Sequence, residues 1–324
     1  MSELSVRSPD QFTRLPSGIR VCYRVDGQLG QPAVLLIGGL GEDLTMWSQR
    51  FVTALVSRGF LVVRMDNRDS GRSTFVSTPA PGVLRLASAR PRSDAYTLAD
   101  CATDCAYLIE HLGVGPAHLV GRSMGGMIAQ TIAAEFPTRA ASLTSIYSTT
   151  GNPGVGRASL KTTFILATQT PRTKPQAVKA HLRLSANLAG SGYPIDVLAE
   201  AEHAATQWDR TAGDGPAGMQ RQLQAIQASG DRTAELRTIN VPTLVINGER
   251  DPLVDPSGGE ATAAAIPNSR HIVIAGMGHH IPDSLADLIV ERVAAHIDKH
   301  TPNPDTAQHR RRSTAKKRQG RTRS

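Results

Sequence analysis

The sequence predicts an α/β protein: a mostly parallel central sheet flanked by helices, with a block of helices inserted between two late strands. Three observations predict it. Short aliphatic runs alternate with helical patterns along most of the 324 residues, the order that builds βαβ units. Those runs show little polar–apolar alternation, as expected of strands covered on both faces. The alternation fails between about 151 and 235 and resumes after Val241-Pro242.

Strands are expected at 18–25, 33–38, 60–66, 117–122, 143–148, 243–247 and 271–275. Leu98, Cys101, Ala102, Cys105, Leu108, Ile109 and Leu112 recur at helical spacing, so 97–113 reads as a helix stopped by Gly113. A second helix should begin at Met124 and end before Pro137. The loop signal Gly151-Asn152-Pro153-Gly154 opens the inserted block. That block reads as several helices and suits a cap over the carboxyl edge of the sheet. The stretch 74–93, rich in Pro and Arg, reads as irregular and near the same edge. The expected division is a core in two parts, 1–150 and 236–300, a helical cap over 151–235 and a tail over 301–324.

Composition narrows the function classes. Apolar residues make up 40% of the chain and aromatics only 4%, so a large core is available but a mostly aliphatic one. A substrate pocket should be lined by Leu, Ile, Val, Met and Ala. The formal net charge of +8 is concentrated at one end, where Arg310, Arg311, Arg312, Lys316, Lys317, Arg318, Arg321 and Arg323 face only Asp305. The rest is near neutral, unlike a nucleic-acid reader. The tail is polar and expected to be disordered. Its basic cluster holds no aromatic residue for base stacking, which limits it to weak, non-specific binding of polyanions; a solvated tail is the plainer reading. Cys22, Cys101 and Cys105 are an odd, sparse set, not a disulfide framework; Cys101 and Cys105, four apart on a helix, read as small core residues. No spacing suits a metal site. No apolar run has signal-peptide length near the N-terminus, and none is long enough to span a membrane. The expected location is the cytoplasm.

Gly121-Arg122-Ser123-Met124-Gly125 is a G-x-S-x-G sequence. Alone it is a weak signal. Here it follows an apolar strand and precedes a helix, the setting of a nucleophile elbow. The glycines let strand and helix backbones approach closely, and the helix N-terminus favours developing negative charge on Ser123. A serine hydroxyl is a poor nucleophile without a neighbouring base, so an acid and then a histidine should follow. Asp251 comes just after the strand 243–247, with Glu249 and Asp255 as rivals. His279 follows 271–275 through Gly276-Met277-Gly278, with His280 as its rival. The order Ser123, Asp251, His279 is that of α/β-hydrolases. His279 would accept the Ser123 proton and deliver it to the leaving group, while Asp251 holds the imidazole. Backbone donors for the oxyanion are expected at Met124 and, in the loop Gly38-Gly39-Leu40-Gly41, at Leu40. That loop lacks the G-K-[ST] ending of a phosphate site and the spacing of a dinucleotide fingerprint. No cofactor and no metal are called for.

Together these residues resemble a known group. Ile37-Gly38-Gly39-Leu40-Gly41, Met46-Trp47, Asp66-Asn67-Arg68-Asp69-Ser70-Gly71, Gly121-Arg122-Ser123-Met124-Gly125-Gly126 and Gly276-Met277-Gly278-His279 are similar to the α/β-hydrolases grouped with aclacinomycin methylesterase. The inserted block adds Trp208-Asp209-Arg210, Arg221-Gln222 and Ser229-Gly230-Asp231-Arg232-Thr233, the more specific part of the likeness. The resemblance spans about residues 15–297. It implies the α/β-hydrolase fold and cleavage of a small-molecule carboxylic ester, methyl esters of polyketides included, without a cofactor. There are departures. Gly38 stands where many relatives have His or Met, and His280 where the group often has Asp; 74–93 and the tail look like additions. Haloperoxidase- or perhydrolase-like, lactonase and C–C hydrolase activities would use the same triad. A non-catalytic ligand-binding scaffold is the reading from outside enzymology.

Overall fold

The computed structural model describes residues 8–168 and 171–300. The basic tail, for which disorder is expected, lies outside the described residues. Among the described residues eight strands form one sheet: β1 (Gln11–Arg14), β2 (Arg20–Asp26), β3 (Ala33–Ile37), β4 (Leu61–Met65), β5 (Ala117–Arg122), β6 (Ala140–Ile146), β7 (Thr243–Gly248) and β8 (Arg270–Ile274). Their order is β1-β2-β4-β3-β5-β6-β7-β8. β1 and β2 run antiparallel to their neighbours, and the other pairings are parallel. The chain leaves β3 for β4 on one side and returns to β5 on the other. Their carboxyl ends therefore diverge at a switch point, where sheets of this kind hold ligands.

The strand sequences explain the layers. Successive side chains point to opposite faces, so Leu35 and Ile37 of β3 pack on one side and Val34 and Leu36 on the other. The first face is covered by α3 (Leu98–Leu112) and α4 (Met124–Glu135), the second by α1 (Gln49–Val56) and α11 (Asp283–His300). α10 (Ser257–Ala265) packs beside β7 and β8. The expected helix at 97–113 is closed at both ends: Thr97 and Asp100 form a capping box, and Gly113 takes the left-handed conformation with φ 63°. Cys101 and Cys105 lie in the core with Cys22, all as free thiols.

Among the described residues the named elements between β6 and β7 are helices: α5 (Leu160–Thr168), α6 (Lys174–Leu188), α7 (Val197–Arg210), α8 (Gly215–Ser229) and α9 (Thr233–Leu236). The stretch read as irregular contains a short helix, α2 (Val83–Ala87), which lies against α8; the Gln227 amide donates to Leu86 O at 2.8 Å. β1 is a further element not foreseen, an exposed edge strand without an apolar run. No described helix is long and apolar enough to cross a membrane.

Candidate active site

Ser123 sits between the end of β5 and the start of α4, with φ 54° and ψ −122°. That is a strained conformation for a residue bearing a Cβ, and close packing around it imposes the turn. A Cβ added at Gly121 would fall 2.1 Å from Gly125 O, and one at Gly125 would fall 2.2 Å from Ile37 O. The Ser123 N–H donates to Ile146 O at 2.9 Å, and the Ser148 hydroxyl donates to Ser123 O at 2.8 Å.

The loops after β7 and β8 bring the other two predicted residues to this turn. Asp251 Oδ1 accepts the N–H groups of Leu253 and Val254, both at 2.8 Å. Its Oδ2 remains for His279 Nδ1 at 2.7 Å, and His279 Nε2 lies 2.9 Å from Ser123 Oγ. The carboxylate can only accept, so Nδ1–H donates to it, and that tautomer leaves the Nε2 lone pair facing the serine hydroxyl. The Asp251 carboxylate is wholly buried and the His279 ring nearly so. The Tyr147 ring packs 4.3 Å from the imidazole, and the His279 N–H donates to Leu188 O of α6 at 2.7 Å. The rivals are occupied elsewhere. Glu249 accepts from the Gly276 N–H, Asp255 from the Ser257 N–H, and His280 Nε2 points to Glu200 Oε1 at 3.0 Å. Such a chain can pass the Ser123 proton to Nε2 while a fixed carboxylate balances the imidazolium.

The loop after β3 faces the same point. The Gly39 N–H donates to Glu42 Oε2 at 2.6 Å and the Gly41 N–H to Gln222 Oε1 at 2.7 Å. Among the described residues the Leu40 and Met124 N–H groups, the two expected donors, have no acceptor. Glu42 is held in turn by Arg122 Nη2 at 2.8 Å. Arg122 is 2% exposed and lies near the rings of Trp47 and Tyr147. The variable position of the G-x-S-x-G turn is thus a buried strut under the loop, a role its sequence context does not announce.

A cavity of about 270 Å³ opens at Ser123 beneath α6, α7 and α8. Leu40, Met46, Leu184, Leu188, Met219 and Leu253 line it, which matches the expected aliphatic wall in Leu and Met. His181, Ser185 and His280 form a polar wall that the sequence reading misses. They surround Glu200, whose Oε2 lies 2.6 Å from His181 Nε2. Burial raises the pKa of Glu200, but the contacts with His181 and His280 outweigh it and hold the carboxyl well below the usual range. Ser185 Oγ is 3.2 Å from that same His181 Nε2. One nitrogen meets both partners, so this cluster cannot work as a second triad. Among the described residues no group of His, Cys, Asp or Glu is arranged to hold a metal ion.

The residues that carried the resemblance in the inserted block turn out to seat it on the sheet. Arg210 donates to Asp10, Asp43 and Asp66, each at 2.7 Å. Arg221 forks onto Asp69 at 2.9 and 2.6 Å, and Arg232 donates to Gln130 at 2.8 Å and Thr149 O at 2.7 Å. None of these partners could be read from local sequence.

A model of the alpha/beta hydrolase fold matches residues 32–284. The chain belongs to that family of hydrolases. Rhodomycin D methylesterase DauP of Streptomyces sp. (strain C5) is 28% identical over 301 residues, covering 83% of this chain and 92% of its own. Rhodomycin D methylesterase DnrP of Streptomyces peucetius is 27% identical over 316 residues, covering 88% and 97%. These relatives bear out the likeness drawn from the motifs. Among solved structures, the enol-lactonase from Burkholderia xenovorans LB400 matches with a TM-score of 0.68 at 24% identity, covering 89% of this chain and all of that one, a likeness of fold.

Proposed function

We propose that the protein is a serine esterase that cleaves a carboxylic ester, a methyl ester among its candidates, through an acyl-enzyme and without a cofactor. The observation that carries this reading is the unbroken chain Asp251–His279–Ser123, with contacts of 2.7 and 2.9 Å, at the mouth of an apolar cavity. Ser123 Oγ attacks the ester carbonyl carbon as its proton passes to His279 Nε2. The resulting oxyanion is received by the Leu40 and Met124 N–H groups, each worth about 2.7–4 kcal/mol by analogy with measured donors. His279 then protonates the departing alcohol, and the acyl group stays on Ser123. Water, deprotonated by His279, attacks that acyl carbon and releases the carboxylate with Ser123 restored. Residues 151–235 act in this reading as a cap over the cavity, with 1–150 and 236–300 as the core. The two methylesterases support an ester rather than another acyl donor.

Ser123→Ala should abolish hydrolysis of short activated esters and covalent labelling by a fluorophosphonate, with turnover falling on the order of 10⁶. The folded variant should keep the circular dichroism of the parent. Turnover retained in folded Ser123→Ala would sink the proposal.

A further inference from the structure

The inserted helices do more than roof the cavity. Gln222 of α8 is completely buried. Its Oε1 accepts the Gly41 N–H at 2.7 Å while its Nε2 donates to Arg68 O at 2.8 Å. Gln207 of α7 donates to Gly41 O at 2.9 Å. Two successive peptide planes are thereby held by side chains from more than 160 residues downstream. Gly41 has φ 70°, and a Cβ there would meet Met219 of α8 at 3.1 Å, so the loop also packs directly against that helix. On the other side Glu42 fixes the Gly39 N–H at 2.6 Å. The one peptide plane between these anchors carries the Leu40 N–H; its own carbonyl, Gly39 O, accepts the Glu42 N–H at 3.2 Å, and the anchors on either side hold that turn in place.

We propose that Gln222, assisted by Gln207, is the positioning residue of the oxyanion loop: the amides from α7 and α8 aim the Leu40 N–H. This rests on the esterase reading above. An oxyanion donor works only if it is already aimed where charge develops, and a side chain that can both accept from Gly41 and donate to Arg68 O has one usable orientation.

The test compares Gln222→Met, which keeps the shape and loses both hydrogen bonds, with Gln222→Glu. A buried, protonated Glu can accept from Gly41 and donate to Arg68 O as the amide does. Steady-state kinetics on an activated ester are read beside the inhibition constant of an alkyl boronic acid, whose tetrahedral adduct places an oxygen in the same hole. Gln222→Met should lower kcat about ten- to a hundredfold, the loss a misplacement near 1 Å brings. KM should change less than about twofold and boronate affinity should fall in parallel with kcat, because the interaction is made only in the transition state. Gln222→Glu should recover most of kcat. Unchanged kcat in Gln222→Met overturns the inference. So does a loss of kcat without weaker boronate binding, or equal impairment of the two variants. Should Gln222→Met fail to fold, Gln207→Met tests the same loop through Gly41 O, and wild-type kcat and boronate affinity there overturn it equally. If Ser123 is not the nucleophile, on which the esterase reading depends, the unmodified enzyme will not bind the boronate there, a result distinct from any of these.

Discussion

Replacing Arg210 with Met tests the seating of the inserted helices on the sheet. The guanidinium ends α7 and is 8% exposed; it holds Asp10, Asp43 and Asp66 at once. Asp10 also pairs with Arg24 and Arg72, so it keeps its charge in the variant. Asp43 and Asp66 are wholly buried. They would retain only the N–H and hydroxyl of Thr45 on one side and the N–H groups of Leu44 and Arg72 on the other. Burial, helped by the neighbouring Asp43, already pushes Asp66 up to about 6, against the pull of Arg210. Without Arg210 the cheapest response is to take up a proton. An Asp that ionises near 3.9 when unfolded costs about 4 kcal/mol to hold neutral at pH 7, at 1.36 kcal/mol per pH unit. Broken buried pairs typically cost about 3–5 kcal/mol. Arg210→Met should therefore lose about 3–5 kcal/mol in urea unfolding at pH 7. A carboxyl raised in the folded state binds a proton that the unfolded chain has released, so acid favours the folded variant. The parent's Asp66, already near 6, takes up its own proton over the same range, so the deficit should shrink by about 1–1.5 kcal/mol on going to pH 5. A loss below about 1 kcal/mol at pH 7, or a deficit that grows on acidification, would refute this reasoning.

Three further outcomes are expected. His279→Ala should be nearly inactive in ester hydrolysis whereas His280→Ala keeps substantial turnover; the reverse result would reassign the base. Burial pushes His118 and His296 down to about 4, each also opposed by neighbouring positive charge. Below pH 6.5 the unfolded chain takes up protons that the folded one refuses, so stability should fall between pH 6.5 and 4 by up to about 3 kcal/mol per histidine. His118→Gln should flatten that slope in urea midpoints, and an unaltered slope would remove His118 as a cause. Gly125→Ala should give little folded, active protein, because its Cβ would lie 2.2 Å from the backbone oxygen of Ile37; a variant with parental turnover and melting temperature would show that the turn can relax.

Most of the sheet was legible because β3, β4, β5 and β7 are buried along their whole length, and strands covered on both faces must be written as aliphatic runs. β1 escaped for the converse reason. Its residues Gln-Phe-Thr-Arg are largely exposed, and its place is set by antiparallel pairing with β2, Gln11 opposite Tyr23, rather than by any pattern of its own. α3 could be placed because Gly113 stops it, and α4 because the Ser123 turn opens it and Pro137 follows its end. The short α2 had no such marks, and what it packs against lies on α8, far along the chain.

The candidate site divides along the same line. Ser123, Asp251 and His279 each sit just beyond a strand, so local motifs reveal them, and Leu40 and Met124 follow from the neighbouring turns. Glu42, Arg122, Glu200 and Gln222 do not declare themselves, because each acts through a partner that only the fold brings near. Gln222 and Gly41 are 181 residues apart. The resemblance had marked Arg210, Arg221, Gln222 and Arg232 without giving them work. The targets of Arg210 and Arg221 include Asp43, Asp66 and Asp69 in the loops that leave β3 and β4, the first of which also carries the proposed oxyanion donor. An apolar seam would hold the inserted helices over many registers, whereas a guanidinium forked onto a carboxylate accepts one. Directional bonds at this seam therefore do two things that burial alone would not. On the proposed reading they fix the roof of the cavity at a single height above Ser123 and tie that height to the loop carrying Leu40, so that changes in α7 and α8 would reach the catalytic step as well as substrate binding.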